Sequence, residues 1–479
     1  MIYRVRNMNL TDIKIVSLSL YYLPVKARIP LRFGFESMTS IECLRVKAIV
    51  ENGRGRIEAG WGEVPLSMQW LWPACCSIQD RLSYMKQAVT ACADHLLSSN
   101  LEGHALDIGF QVIRDFLPGL VKEIDAHGTV DRPFPWSAAL AAYSAFDIAL
   151  HDAYGKVNER PVHAIYGSDF LRHDLSYYLE GQTESPHRFR DLYPSDFLRP
   201  KPLERLPVWH LVGGEDFLFP EEIRDSAPDD GYPLLLQEWI KRDGITCLKV
   251  KLLGQDYEWD VQRLIQVGKI ALQHGLTWLS VDFNCTVSDP RYVVALLTKL
   301  MREYPRIFGM LLFIEQPFPA EIEVLSMDVH SVSAIKPLLL DEGADHWSVL
   351  LPARKLGWSG AALKTCKTYT ASLLMASLAQ SYGMPLMVQD LTNPMLAALS
   401  HTSFAAFVPT LMGFEANASQ FYPEASAAEA AVHPGVYRRR NGMVSTGSLS
   451  GTGFGYRLDE IDRVLPEPVY AKDAHSIYG

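Results

Sequence analysis

The sequence predicts an α/β protein built on a single (β/α) barrel, and three observations carry that prediction. First, four short apolar runs each end in charge. They are Cys247 to Lys251, Leu276 to Val281 before Asp282-Phe283-Asn284, Leu311 to Ile314 before Glu315-Gln316-Pro317, and Pro337 to Leu340 before Asp341-Glu342. Such runs, bounded by turn-forming residues, are the pattern of buried strands. Second, Lys251 to Asp282, Asp282 to Glu315 and Glu315 to Asp341 span 31, 33 and 26 residues, each about one strand–helix–strand unit. Third, the alternation extends on both sides, from Leu206–Leu211 as a first strand to a total of eight. Charge at the C-terminal ends of successive buried strands is where a (β/α) barrel keeps its chemistry.

Ahead of the barrel, Ile13–Leu18 and Leu44–Val50 alternate as strands, and Asn52-Gly53-Arg54-Gly55 turns the second into Ile57–Glu63 as a hairpin. Pro30–Met38, between the first two strands, is expected to be a loop with an arginine and two aromatics. It is either plain surface or a flap over a barrel mouth, with Arg32 free for a carboxylate. From Ser77 to Val121 apolar residues recur at three and four, and Trp136–Tyr154 has a wide apolar face closed by Gly155. Asp147 and Asp152 within it are expected to accept hydrogen bonds on the packing side. Ser168–Arg205 is charged, contains prolines and lacks periodicity, so it is an insertion or extended connection. Glu215–Tyr232 is similarly irregular and is expected to overhang the end of the first barrel strand. Strands six, seven and eight are assigned to Ala361–Lys364, Pro385–Val388 and Ala405–Val408, with helical runs such as Thr370–Tyr382 between. Gly451-Thr452-Gly453-Phe454-Gly455 follows no strand–helix unit, which leaves a dinucleotide reading weak.

Composition narrows the partners. The 479 residues are 48% hydrophobic and 21% charged, with a net charge of −10, which argues against nucleic acid and against an anionic membrane surface. No apolar run reaches the length of a membrane span, and the first residues lack the apolar stretch of a secretory signal. Seven scattered cysteines without a zinc-type pair suggest reduced thiols in a cytoplasmic enzyme. The expected partners are a small-molecule carboxylate and further copies of the chain in a homo-oligomer.

Alternation along a strand puts Lys249 and Lys251 on one side, and likewise Asp282 and Asn284. Asp282, Glu315 and Asp341 could then converge on one hard cation with two ammonium groups beside it. The competing reading makes the three acids separate helix caps. Cys285 and Cys366, near the mouth, are expected to pack.

Lys249-Val250-Lys251, Asp282-Phe283-Asn284, Glu315-Gln316-Pro317, Asp341-Glu342 and the sixth-strand Lys364 resemble, in order and spacing, motifs of the enolase superfamily. The branch resembled is the mandelate racemase/muconate lactonizing enzyme family, and its muconate-lactonizing part in particular. Gly60-Trp61-Gly62-Glu63 and Ala149–Pro161 are similar to its capping-domain motifs. The resemblance implies a (β/α)7β-type TIM barrel with an α+β capping domain made by both termini. Residues 1–167 would form the cap, 168–205 the insertion, 206–420 the barrel with the active site, and 421–479 a segment returning to the cap. It also implies Mg2+ held by Asp282, Glu315 and Asp341, and removal of an α-proton from a carboxylate through a stabilised enediolate.

Lys251 and Lys364 would be the bases on opposite faces, with Lys249 helping to lower the Lys251 pKa; Lys367 is equally placed as the alternative to Lys364. Asn284, Arg32 and Glu342 would border the substrate, with Glu342 bonding a neighbouring lysine. Racemase or epimerase chemistry is the expectation. Cycloisomerisation or syn elimination are alternatives, and a non-catalytic relic is the alternative of another class. Three departures bear on substrate: Thr368-Tyr369-Thr370 replaces a Gly-Gly pair, strand eight lacks the DxD of dipeptide epimerases, and strand seven ends in Gln389-Asp390. Pro30–Met38 and the 168–205 insertion are expected to limit which acids enter.

Overall fold

Eight parallel strands close on themselves in a computed structural model that describes residues 9–34, 36–73, 76–127, 132–182, 188–321 and 326–474. They are β5 (Arg205–Val212), β6 (Cys247–Lys251), β7 (Trp278–Asp282), β8 (Leu311–Glu315), β9 (Leu338–Leu340), β10 (Gly360–Leu363), β11 (Leu386–Val388) and β12 (Phe414–Glu415). The ring is sealed by Phe414 opposite Val208 and Glu415 opposite Trp209. The eighth strand is therefore not Ala405–Val408, which ends a buried helix, Met395–Phe407. That helix is buried on nearly every side and its last turn is an unbroken apolar run, Phe404 to Phe407, so periodicity could not separate it from a strand.

The N-terminal third forms most of the cap. Strands β1 (Ile13–Phe33), β2 (Glu36–Asn52) and β3 (Ile57–Pro65) make an antiparallel sheet, with β4 (Glu102–Gly103) on β1. The last strand of the chain, Tyr470–Asp473, also pairs with β1, Leu18 facing Lys472. The span expected as a loop, Pro30–Met38, is mostly strand: Leu31 pairs with Met38 and Phe33 with Glu36 at the tip of a long hairpin. Helices α1 (Met68–Leu71), α2 (Ile78–Ser98), α3 (Ala105–Gln111), α4 (Leu117–His127) and α5 (Trp136–Val157) cover the sheet. Among the described residues no helix is long and apolar enough to cross a membrane.

The centre of the cap is the crossing of α5 over β3, and glycine makes it possible. A Cβ on Gly60 would lie 2.1 Å from the Ala149 carbonyl oxygen, and one on Gly62 2.1 Å from that of Ala145. Helix and strand backbones thus touch directly, which explains Gly60-Trp61-Gly62. Asp152 completes the seam by accepting the Trp61 amide at 3.0 Å and the Phe454 amide at 2.9 Å, while Lys156 pairs with it at 2.6 Å. The glycine-rich tail is used here as well: Gly453 sits at φ +62, where a Cβ would strike the Asp152 carboxylate at 2.2 Å.

The 168–205 segment is packed rather than open. Leu171, Leu175, Tyr178 and Phe189 are buried, Tyr178 donates to Asp107 of α3 at 2.5 Å, and Leu203 N–H bonds the Ala406 carbonyl at 2.9 Å. Residues 183–187 lie outside the described residues. The Glu215–Tyr232 stretch does overhang β5, and it grips the β1–β2 hairpin: Arg28 forks onto Asp230 at 2.7 and 2.8 Å.

Replacing Gly62 by alanine should destabilise the protein by about 1–3 kcal/mol, the usual cost of forcing an extra carbon into a packed seam. Urea denaturation measures it, and an unchanged midpoint would mean that helix and strand can separate freely.

Candidate active site

The site follows from the strand pleat. Trp209, Cys247, Phe313, Leu339, Ala362 and Met387 form an apolar cluster inside the barrel. Two residues further along each strand the side chain points the same way, one layer nearer the mouth. That layer is Leu211, Lys249, Glu315, Asp341, Lys364 and Gln389, joined by Asp282 from β7, Glu415 from β12 and, one step higher, Lys251. Apolar side chains plug the barrel and charged ones lie directly above.

Asp282, Glu315 and Asp341 are fully buried, and each offers an oxygen within 4.8 Å of those of the others. They could hold a metal: three carboxylates at adjacent strand ends form a hard oxygen donor set. The lysines stand between them as counter-ions. Lys249 Nζ is 3.0 Å from Asp282, 2.5 Å from Glu315 and 2.8 Å from Glu415. Lys251 pairs with Asp282 and bonds Asn284 Oδ1 at 3.0 Å. Lys364 reaches Asp341 at 3.1 Å from the other side.

The proton affinities follow this pairing. Burial opposes charge on Lys249, yet Asp282, Glu315, Glu415 and Asp341 together hold its pKa well above the usual lysine value. Burial likewise opposes charge on Lys364, and Asp341 overrides it, so that pKa is raised too. The side chains alone therefore raise, and do not lower, the pKa of Lys249 and of Lys364. Asp282 is held below the usual carboxylate range: burial would raise it, and Lys249 and Lys251 outweigh that. Asp341 is lowered against burial by Lys364 and Lys367. For Glu315, burial and the Asp282 charge outweigh Lys249, and the pKa rises.

Lys364 and Lys367, equivalent by sequence, have different places. Lys364 borders the cavity above the triad. Lys367 turns under the β9 end, donating to the Asp341 carbonyl and, at 3.1 Å, to that of Ala344. Gln316 does related work: its Oε1 accepts the amides of Asp341 at 2.7 Å and Gly343 at 3.1 Å, fixing the turn after β9. Glu342 does not bond a lysine. Its Oε1 accepts from Asn284 Nδ2 at 2.9 Å and from Trp70 Nε1 at 3.1 Å. Cys285 and Cys366 are unpaired thiols beside these turns, Cys366 being buried.

A cavity of about 40 Å³ opens above the triad between the barrel mouth and the cap, and Leu31, Phe33, Met38, Trp70, Leu211 and Leu391 give it an apolar wall. A larger cavity, about 130 Å³, lies outside β5 beside Arg28, Ile29 and Pro30 of the hairpin and is lined by none of the triad carboxylates or site lysines; the chemistry belongs to the smaller one. Arg32 is not brought to the site. It points outward from β1, half exposed, and pairs with Glu215 at 2.9 Å, while its neighbours Leu31 and Phe33 face in. No described residue of 168–205 lines the cavity, contrary to the expectation that this segment restricts entry.

Sequence reasoning missed Glu415, Gln389 and Trp70. Gln389 Nε2 donates to Glu315 at 2.6 Å and its Oε1 faces Lys364 at 3.4 Å. The two-residue rule would have found it after strand seven, and Glu415 after a correctly placed strand eight. Trp70 comes from the cap, and its ring lies 5.3 Å from Lys364 Nζ and 5.2 Å from Lys367 Nζ, a contact with no local signal in the sequence.

A closed parallel barrel beneath an antiparallel cap, with three buried carboxylates at adjacent strand ends, defines an α/β-barrel protein with a candidate metal centre. Residues 233–461 match the family model described as enolase C-terminal domain-like, and the fold of the chain is that of a solved mandelate racemase/muconate lactonizing protein from Herpetosiphon aurantiacus, 18% identical over 92% of this chain and 97% of its own with a TM-score of 0.58. No curated protein matches the sequence. Solved structures share the fold at low identity. The N-succinyl Arg/Lys racemase of Bacillus cereus is 18% identical over 96% of this chain and 99% of its own, with a TM-score of 0.59. The muconate lactonizing enzyme of Pseudomonas fluorescens, complexed with muconolactone, is 16% identical over 92% and 95%, with a TM-score of 0.58. The dipeptide epimerase of Cytophaga hutchinsonii, complexed with Mg and D-Ala-L-Val, is 18% identical over 86% and 89%, with a TM-score of 0.55.

Lys367→Met should destabilise the fold by about 3–5 kcal/mol, as when one partner of a buried charged pair is removed. Chemical denaturation tests this, and a wild-type midpoint would show that Lys367 does not hold the β9 turn.

Proposed function

We propose that the protein is an isomerase that takes the α-proton from a small carboxylate substrate with the help of magnesium and returns it from a second lysine. One observation carries the reading: the buried carboxylates of Asp282, Glu315 and Asp341 lie between two lysines, Lys251 paired with Asp282 and Lys364 paired with Asp341. This donor set suits magnesium, which when bound supplies positive charge to the substrate carboxylate as its α-proton leaves. Lys251 and Lys364 exchange a proton with the α-carbon from opposite sides, which inverts its configuration. Lys249 stays charged among the carboxylates and balances them. Asn284 holds Lys251 on one side and Glu342 on the other, setting the direction from which Lys251 approaches. Leu31, Phe33, Leu211 and Leu391 exclude water and receive the apolar part of the substrate. Racemase and epimerase relatives on the same fold support this reading.

Magnesium titration calorimetry of Asp282→Asn should show affinity weakened by about 100-fold or more. Unchanged affinity would remove Asp282 from the metal site.

The reaction is tested by α-proton exchange in 2H2O, with N-succinyl amino acids, dipeptides and muconolactone as probes. Lys251→Ala should lose exchange from one stereoisomer and Lys364→Ala from the other, with magnesium binding kept in both. Should Lys364→Ala exchange both stereoisomers normally, racemisation gives way to a one-base cycloisomerase or lyase.

A further inference from the structure

The turn that follows Lys364 contains a backbone conformation that its sequence does not favour. Thr368 lies at φ +71 and ψ +144, a region that glycine occupies readily and a β-branched residue does not. It is fully buried, and it starts the helix Tyr369–Ser381, its Oγ1 accepting the Ala371 amide at 3.0 Å. Such a conformation persists only where the surroundings impose it.

The surroundings are one face of α5. Ser144, Asp147 and His151, spaced three and four apart, all point at this turn and are all fully buried. Ser144 Oγ donates to the Thr365 carbonyl. Asp147 accepts the Thr370 amide on Oδ2 at 2.7 Å and the Thr370 hydroxyl on Oδ1 at 2.8 Å. His151 Nε2 meets the same hydroxyl at 3.1 Å, and its Nδ1 faces Tyr166 OH at 2.9 Å. Room for this cluster comes from Gly109 in α3, where a Cβ would lie 2.2 Å from Thr370 Oγ1 and 2.5 Å from Asp147 Oδ1. On the barrel side, Ser372 Oγ ties the turn back to the Lys364 carbonyl at 3.1 Å.

We propose that Asp147, with Ser144 and His151, is a positioning residue: the cap helix clamps residues 365–370, imposes a glycine-type conformation on Thr368, and thereby fixes where the Lys364 ammonium stands against Asp341. The cap then does more than cover the site. Docking of α5 is a condition for Lys364 to be in place. The clamp itself stands on geometry alone; its catalytic consequence rests on the function proposed above.

Rescue by glycine tests the clamp. Crystal structures and hydrogen exchange are compared for Asp147→Asn, Ser144→Ala, Thr368→Gly and the double variant Asp147→Asn/Thr368→Gly. An asparagine has a donor NH2 in place of one of the two acceptor oxygens that hold Thr370, so Asp147→Asn should exchange the amides of 365–371 at least about tenfold faster. It should also break the Lys364–Asp341 contact. Thr368→Gly alone should preserve that contact, and the double variant should restore it, because glycine needs no clamp. Ser144→Ala should loosen the same amides more mildly, and it serves if Asp147→Asn does not fold. An intact Lys364–Asp341 contact in both clamp variants, or a double variant as disordered as Asp147→Asn, overturns the proposal. With N-succinyl amino acid enantiomers in 2H2O, Asp147→Asn should lose exchange at one enantiomer only, and the double variant should regain it. Should the structures behave as stated while the wild-type protein exchanges none of the probes, the clamp stands and the proposed reaction falls.

Discussion

Charge compensation in the barrel mouth is the constraint on which the rest of the structure depends. Asp282, Glu315, Asp341 and Glu415 are withdrawn from water at the ends of four strands, and each buried ion costs several kcal/mol unless it is paired. Lys249, Lys251, Lys364 and Lys367 supply the opposing charges, and every one of them contacts at least one of these carboxylates. The pairs are linked, since Lys249 bridges three acids and Asp341 receives two lysines. The polar layer is therefore cooperative, and its geometry is set by the strands that carry it. In the parallel pairing, Lys251 lies level with Asp282, and Asp282 with Glu315.

This layer is shielded from water by the cap, which meets it in two ways. From above, Leu31, Phe33 and Met38 of the hairpin form an apolar lid held down by the Arg28–Asp230 fork. From the side, Trp70 spreads over Lys364 and Lys367 while donating to Glu342, so one aromatic side chain touches both charge signs of the site. A lower effective dielectric beneath such a cover strengthens every ion pair below it. The glycine seam between α5 and β3 matters for the same reason, because it fixes the platform from which these contacts are made.

Much of this was legible in the sequence. Strand-end charge at intervals of one β/α unit located the triad and three of the four site lysines, and Asp147 and Asp152 are the packing-side acceptors their positions suggested. Two of the expectations that failed did so for physical reasons that are themselves informative. The helix Met395–Phe407 is buried on nearly every side and ends in Ala-Ala-Phe, a run with no period to distinguish it from a strand, so the eighth strand was misplaced and Glu415 with it. In β1, the odd-numbered side chains Leu23, Val25, Ala27, Leu31 and Phe33 all face inward, so Arg32 between the last two turns outward and meets Glu215.

What the sequence determined by itself is what covalent geometry makes local. The two-residue alternation of a strand and the length of a β/α unit are properties of the backbone, so inward-facing charge at successive strand ends can be counted along the chain. What only the tertiary structure decided is which of two chemically equal groups meets which partner. Lys364 faces the cavity and Lys367 the carbonyls beneath β9, three residues apart, on a turn that α5 of the cap contacts through Ser144 and Asp147. Trp70, Glu342 and Asn284 converge from the cap and two strand ends, and the Trp70–Glu342 hydrogen bond exists only once the cap has docked. Such contacts join residues up to 272 positions apart, and no property of either residue alone encodes them.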